Sequence, residues 1–256
     1  MTFGPRTIIV SDAHLSATDA GRPQQQAFVD FLRGIDPERT RRLIVLGDLF
    51  DFWFEYRHVI FSEYFNVLRA FADLRDRGVE LHFVCGNHDF WAGRFLRNEL
   101  GFSIYHQPVV MDMGGKRVLL AHGDGINAND VGYRVYKKIA RAKPVVALFR
   151  MLHPDLAMRL GQFVSHGSRR MFAAEDPSQG KEVAPLRAFA KGVLERGEAD
   201  VVALGHSHYP VVEEMATPSG TGLYLNTGDW MFHRSYATWQ DGVFELHAGS
   251  AGPTSY

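Results

Sequence analysis

Short apolar runs recur along the N-terminal half of the chain. Thr7-Ile8-Ile9-Val10, Leu43-Ile44-Val45-Leu46, Leu81-His82-Phe83-Val84 and Val118-Leu119-Leu120-Ala121 each read as a buried strand. Between them, apolar residues fall at helical spacing: Phe28, Phe31 and Leu32, then Tyr64, Val67, Leu68, Phe71 and Leu74 before Gly78. Such alternation predicts βαβ units. A further run, Val201-Val202-Ala203-Leu204, precedes alternating stretches at 211–215, 223–226, 236–239 and 243–247, which predict antiparallel strands joined by turns. Residues 128–196 show only helical patterning, interrupted by Pro144, Pro154, Pro177 and Pro185. The expectation is an α/β core of residues 1–127 and 197–256 with a helical insertion, or lid, at 128–196.

Composition narrows the classes. A chain of 256 residues with 46% hydrophobic residues can bury a core that needs no disulfide or structural metal to fold. Its one cysteine, Cys85, excludes a disulfide framework and a Cys-rich zinc ribbon and suits a reducing compartment. With neither an apolar leader at the start nor a run of about 18 apolar residues, the protein is expected to be cytoplasmic, soluble or at most peripheral on a membrane. A formal net charge of −1 argues against a chain that is basic throughout, as many nucleic-acid binders are.

Chemistry appears where the strands end. The five buried runs are followed by Ser11-Asp12-Ala13-His14, Gly47-Asp48-Leu49-Phe50-Asp51, Gly86-Asn87-His88-Asp89, His122-Gly123-Asp124 and Gly205-His206-Ser207-His208. Taken singly, each Asp reads as a turn or capping residue and each His as a hydrogen-bonded core residue. Taken together they do not, because in open α/β sheets ligands bind at the carboxyl ends of strands, so the five loops converge. Carboxylate and amide oxygens mixed with imidazoles, without thiolate, suit Mn²⁺, Fe or Zn²⁺. The seven candidate ligands Asp12, His14, Asp48, Asn87, His122, His206 and His208 exceed what one ion needs. Two divalent ions about 3.5–4 Å apart, bridged by Asp48, are the expected solution.

This ordered series of blocks resembles the calcineurin-like metallophosphoesterase superfamily. The resemblance implies a four-layer α/β/β/α sandwich, with Asp12, His14, Asp48 and His208 at one metal and Asp48, Asn87, His122 and His206 at the other. It also implies that His88, oriented by Asp89, stabilises charge on the phosphoryl group or protonates the leaving oxygen. Phe52-Trp53 stands where the superfamily's protein phosphatases carry Arg-Gly, which weakens that activity as a candidate. The stretch Asp48-Leu49-Phe50-Asp51-Phe52-Trp53, with Gly86-Asn87-His88-Asp89-Phe90 and Asp130-Val131-Gly132-Tyr133, is similar to the UDP-2,3-diacylglucosamine hydrolases of lipid A synthesis, many of which carry Arg at the place of His88. That similarity implies a nucleotide-linked glycolipid as substrate, cleaved at its pyrophosphate to UMP and a diacylglucosamine 1-phosphate on the cytoplasmic face of the inner membrane.

The insertion changes the charge picture. Between residues 131 and 172 nine Lys and Arg face a single acid, Asp155, a local charge of +8 that leaves −9 for the rest. Leucine, valine, methionine and phenylalanine interleave these cations. Such helices are either solvated hairpins or a lid that meets an amphipathic anionic substrate or a membrane surface. Ser168, Arg169 and Arg170 are the expected pyrophosphate contacts, and Asp130 and Tyr133 the expected nucleoside contacts. Two alternatives differ from a lipid hydrolase. A phosphodiesterase acting on nucleotides or nucleic acid predicts aromatic and polar interleaving instead. A non-catalytic scaffold predicts lost ligands.

Overall fold

The computed structural model of the chain describes residues 4–128, 130–172, 178 and 180–249, with residues 164–172 described by their backbone alone. In chain order the elements are β1 (Arg6–Val10), α1 (Arg22–Arg33), β2 (Thr40–Val45), α2 (Phe65–Asp76), β3 (Glu80–Val84), α3 (Arg94–Asn98), β4 (Ser103–Tyr105), β5 (Val109–Met113) and β6 (Lys116–Leu120). There follow α4 (Val131–Ala140), α5 (Lys143–Phe149), α6 (Pro154–Phe172), α7 (Val183–Glu195), β7 (Val201–Leu204), β8 (Val211–Thr217), β9 (Gly220–Asn226), β10 (Tyr236–Gln240) and β11 (Val243–His247).

The strands form two sheets, in the orders β11-β10-β1-β2-β3-β4 and β5-β6-β7-β9-β8. Within the first, β1, β2, β3 and β4 run parallel, joined by α1 and α2 as crossovers. In the second, β6, β7 and β9 run parallel. The sheets pack face to face through Ile9, Ile44, Leu46 and Val84 on one side and Val118, Leu120, Val201, Ala203 and Leu225 on the other, all buried. The outer face of the first sheet is covered by α1 and α2, whose Phe28, Leu32, Val67, Phe71 and Leu74 enter one core cluster. The outer face of the second is covered by α7. Helix, sheet, sheet and helix therefore stack as four layers.

Two corrections follow. Helix α7 lies in the stretch read from sequence as lid, yet its Leu186, Ala190, Val193 and Leu194 are buried with Val202, Leu204 and Tyr224 of the second sheet. It is the fourth layer of the core, so the segment that stands apart is α4 to α6. Strands β4 and β5 were not expected either. The β5–β6 hairpin turns through Gly114 and Gly115, both at positive φ, 60° and 84°, the backbone a two-residue hairpin of this hand requires.

Candidate metal centre

All five predicted clusters stand at one rim of the sandwich, where short bonds tie their loops together. Asp12 N–H donates to Gly47 C=O (3.1 Å), His14 N–H to Asp48 C=O (2.9 Å) and Gly205 N–H to His122 C=O (2.9 Å). Among the bonds that join the sheets, His206 N–H donates to Asp12 Oδ2 at 2.9 Å, and Ser11 and Thr227 share a hydroxyl bond of 2.6 Å. The loops are strained. Among the described residues seven non-glycines have positive φ, and five of them are Asp12, His14, Asp48, His206 and His208. A left-handed backbone costs a residue with a Cβ roughly 1–2 kcal/mol, so five together at one rim mark a place where side-chain direction matters more than local comfort.

The side chains converge accordingly. Ligand atoms of Asp12, His14 and His208 lie within 4.8 Å of one another, as do those of His14, Asp48 and His88 and those of Asp48, His122 and His206. Asp48 belongs to two of these groups and lies between them: its Oδ2 is 3.3 Å from His122 Nε2, 3.8 Å from His88 Nε2 and 3.9 Å from His14 Nε2. Asn87 Oδ1 lies 3.1 Å from the same His122 Nε2. His14 and His208 face each other through their Nε2 atoms, 3.3 Å apart.

Hydrogen bonds at the back of the rings set which nitrogen faces inward. His122 Nδ1–H donates to Leu46 C=O (2.7 Å), which turns Nε2 toward Asp48. His88 Nδ1–H donates to Asp51 C=O (2.8 Å), so its Nε2 also looks into the site.

Electrostatics favour a cation here. Burial raises Asp12 against the pull of His122 and His208. Burial would raise Asp48 too, but His122, His88 and His14 hold its carboxyl well below the ordinary range. Burial opposes charge on His122, yet Asp48 and Asp12 hold its pKa well above the ordinary value. Burial, with His122 beside it, pushes His206 down to about 3, leaving it a neutral donor of electron pairs. Asp12 Oδ1 is buried and accepts no hydrogen bond among the described residues, which is costly unless a cation meets it. Hard oxygen donors, inward lone pairs and an unsatisfied carboxylate oxygen fit divalent metals.

The other expected residues sort differently. Asp89 is the clearest departure. Its carboxylate does not reach the His88 ring; it accepts from Gly86 N–H and Leu49 N–H, both at 2.8 Å, and staples two loops. Burial and then the neighbouring Asp48 push its pKa up to about 7. The group that holds the His88 ring is the Asp51 carbonyl, a backbone atom that no side-chain pattern reveals. Asp130 caps α4, accepting from Tyr133 N–H at 2.8 Å. Tyr133 O–H donates to Asp124 Oδ2 at 2.8 Å, and both Asp130 and Tyr133 line the cavity that holds His14, Asp48, Asn87, His88, His206 and His208. The side chains of Ser168, Arg169 and Arg170 lie outside the described residues.

Three residues given no role from sequence support the rim. Buried Asp124 takes Tyr133 O–H and the Lys137 ammonium (2.5 Å), fastening α4 beside His122. Asn226 donates to Gly205 C=O (2.8 Å) and Ser207 Oγ (3.0 Å), holding the loop between His206 and His208. Asp229 accepts from His233 Nδ1 at 2.7 Å and lies 3.8 Å from His208 Nδ1.

A second cavity, of about 410 Å³, adjoins the rim cavity and shares Asn87, His88 and Tyr133 with it in its lining. Its remaining walls are largely apolar, including Phe52 and Trp91 of the core and Tyr136, Ile139, Val145, Phe149 and Leu160 of the insertion. The insertion is docked there by aromatic contacts: Phe149 stacks on Trp91 (centroids 5.5 Å apart) and meets Phe54 at 4.8 Å.

A two-sheet sandwich with His, Asp and Asn loops at one rim defines a phosphoester-hydrolysing class, and the chain belongs to the calcineurin-like phosphoesterase family, whose profile matches residues 5–210. It is a metal-dependent phosphoester or phosphoanhydride hydrolase. Among curated relatives, it is similar to a UDP-2,3-diacylglucosamine hydrolase of Porphyromonas gingivalis, with 32% identity over 93% of this chain and 95% of the relative. A protein of the same name from Aeromonas salmonicida is 32% identical over 88% of this chain and 85% of its own. Among solved structures, a predicted phosphoesterase of Streptococcus pneumoniae covers 97% of this chain and 99% of its own, with 15% identity and a TM-score of 0.42.

Proposed function

We propose that the protein hydrolyses the pyrophosphate bond of UDP-2,3-diacylglucosamine, releasing UMP and 2,3-diacylglucosamine 1-phosphate for lipid A synthesis. The observation that carries this reading beyond the family is the junction of the two cavities. A polar, metal-capable rim cavity and an apolar cleft walled by the insertion share Asn87, His88 and Tyr133 in their linings, and a substrate with a diphosphate next to fatty acyl chains needs both, side by side. Relatives of that name at similar length add support.

Asp12, His14, Asp48 and His208 would hold one divalent ion and Asp48, Asn87, His122 and His206 the other, Mn²⁺ in our reading, with Fe and Zn²⁺ as alternatives. Bound there, the ions supply Lewis-acid polarisation of phosphoryl oxygens and activation of water. The remaining work falls to side chains. His88, its Nδ1–H committed to Asp51 C=O, presents Nε2 to the substrate; as the imidazolium it donates to a phosphoryl or leaving oxygen. Asn87 completes a coordination sphere as a neutral ligand, adding no charge against an incoming phosphate. Tyr133, Phe52 and Trp91 exclude water from the junction, and Asp130 and Tyr133 face the nucleoside end. Ser168, Arg169 and Arg170 are our candidates for the pyrophosphate.

No described helix is long and apolar enough to cross a membrane. We place the protein at the cytoplasmic face of the inner membrane through the insertion, whose Leu148, Met151 and Phe163 are 67%, 82% and 78% exposed.

The test is Mn²⁺-dependent release of UMP from UDP-2,3-diacylglucosamine, run beside hydrolysis of an aryl phosphodiester. UMP release far above the aryl rate is expected. Brisk aryl hydrolysis without UMP release would overturn the lipid reading in favour of a nucleotide phosphodiesterase.

A further inference from the structure

A third cavity, of about 830 Å³, lies on the other side of Trp91 from the apolar cleft, that residue lining both. Its chemistry is the opposite of the cleft's. Arg57, Arg94 and Arg150 line it, and none of the three has an ion pair or a side-chain hydrogen bond among the described residues, although the Arg150 guanidinium lies over the Phe54 ring, 5.9 Å from its centroid. Two carboxylates also reach the lining. Glu55 accepts from the backbone N–H groups of Gly93 (2.8 Å), Phe95 (2.7 Å) and Leu96 (3.3 Å), and with Glu99 it sets two carboxylates against three arginines, which leaves the lining positive. A cavity with three arginines in its lining selects an anion whose oxygens can accept several hydrogen bonds at once.

The surroundings say which kind of anion. Val59, 45% exposed, is part of the lining, and Met151, 82% exposed, directly follows the lining residue Arg150 in sequence. Apolar side chains left in water around an arginine cluster fit an interface at headgroup depth. We infer that this cavity binds the phosphate of an anionic phospholipid headgroup and seats the protein on the bilayer. With the phosphate on one side of Trp91, the cleft on the other side opens at the depth where acyl chains begin. The inference deepens the glycolipid reading and rests on it for the identity of the surface. It adds a lipid site that is separate from the substrate's own.

Co-flotation tests it with the full chain, using vesicles of pure phosphatidylcholine and of an equimolar phosphatidylcholine–phosphatidylglycerol mixture. The exposed pair Arg57→Glu/Arg94→Glu is compared with Arg33→Glu/Arg39→Glu, an identical charge change on exposed residues of the core. The expected result is phosphatidylglycerol-dependent binding that falls at least about tenfold in the first variant and stays near wild type in the second. Equal losses in both variants would show diffuse attraction and overturn the site. So would the absence of vesicle binding. Inorganic phosphate that raises the melting temperature of wild type but not of Arg57→Glu/Arg94→Glu, without vesicle binding, would replace the lipid with a soluble phosphate and also overturn it. UMP release from detergent-dispersed substrate is measured in parallel and is expected to be unchanged in both variants. If wild type releases no UMP, the glycolipid reading fails while the vesicle comparison still decides the lipid site.

Discussion

At the scale of residues, the site depends on backbones brought closer than a Cβ allows. A methyl group added at Gly86 would lie 2.2 Å from Asp48 Oδ1, and one at Gly205 would lie 2.5 Å from Asp12 Oδ2. Both glycines are there so that two carboxylates can occupy the space beside the strand ends. Gly86→Ala is accordingly expected to lower kcat at least about a hundredfold by displacing the bridging carboxylate, with ¹H–¹⁵N spectra showing shifts confined to the rim. Asp48→Ala is expected to abolish metal-dependent hydrolysis while circular dichroism stays that of a folded protein; turnover at the wild-type rate would remove Asp48 from the centre. Asp89 carries a different prediction because its carboxylate closes two backbone amides. Asp89→Ala leaves Gly86 N–H and Leu49 N–H unpaired in the interior, at a cost of about 1–3 kcal/mol each, which a denaturant titration reads directly. The identities and spacing of the candidate ligands, which the fold brings to one rim, were legible in the chain. The use of Asp89 was not, since its partners are amides on loops of two different strands.

At the scale of elements, contacts of different character add to the stacking of Phe149 in holding the insertion to the core. Asp124 binds α4 through Tyr133 and Lys137, with the Arg141 guanidinium 3.7 Å away. On α6, Gly161 lies flat on the Phe52 ring, where an added Cβ would come within 2.3 Å of it. These contacts position the apolar wall of the cleft and leave the metal ligands alone. Gly161→Leu is therefore expected to raise KM for the lipid substrate by about tenfold or more while hydrolysis of a small aryl phosphodiester stays near wild type; parallel losses on both substrates would contradict that division. The proline breaks that mark the insertion in the sequence are real helix starts, with Pro144 in the first turn of α5 and Pro154 opening α6. Periodicity cannot say what a helix packs on, and so α7 was read with the lid although it covers the second sheet. Strand β5 carried one readable sign, the Gly114-Gly115 pair ahead of a β-branched run.

At the scale of the whole molecule, charge and metal are linked. Asp12, His14, Asp48 and His122 at the rim are buried, so a cation that satisfies them stabilises the folded state and has no comparable site in the unfolded chain. Saturating Mn²⁺ added to chelator-treated protein is expected to raise the melting temperature by about 5 °C or more. Asp48→Ala should lose that shift, and an equal shift in the variant would place the ion elsewhere. The near-neutral total of the chain hides an acidic core and an insertion of +8 between residues 131 and 172.

The amino-acid sequence by itself determined that five parallel or near-edge strands would end in ligand-bearing loops, because β-branched runs, crossover helices and the residues after each strand are all local patterns, and right-handed crossovers bring such ends to one rim. Tertiary structure alone decided which nitrogen each imidazole presents, through the carbonyls of Leu46 and Asp51. It alone decided that Phe52, Phe54, Trp91 and Phe149 would form one aromatic wall between an apolar cleft and an arginine-lined cavity. Those outcomes rest on contacts between residues far apart in the chain, and distance in the chain leaves no periodicity to read.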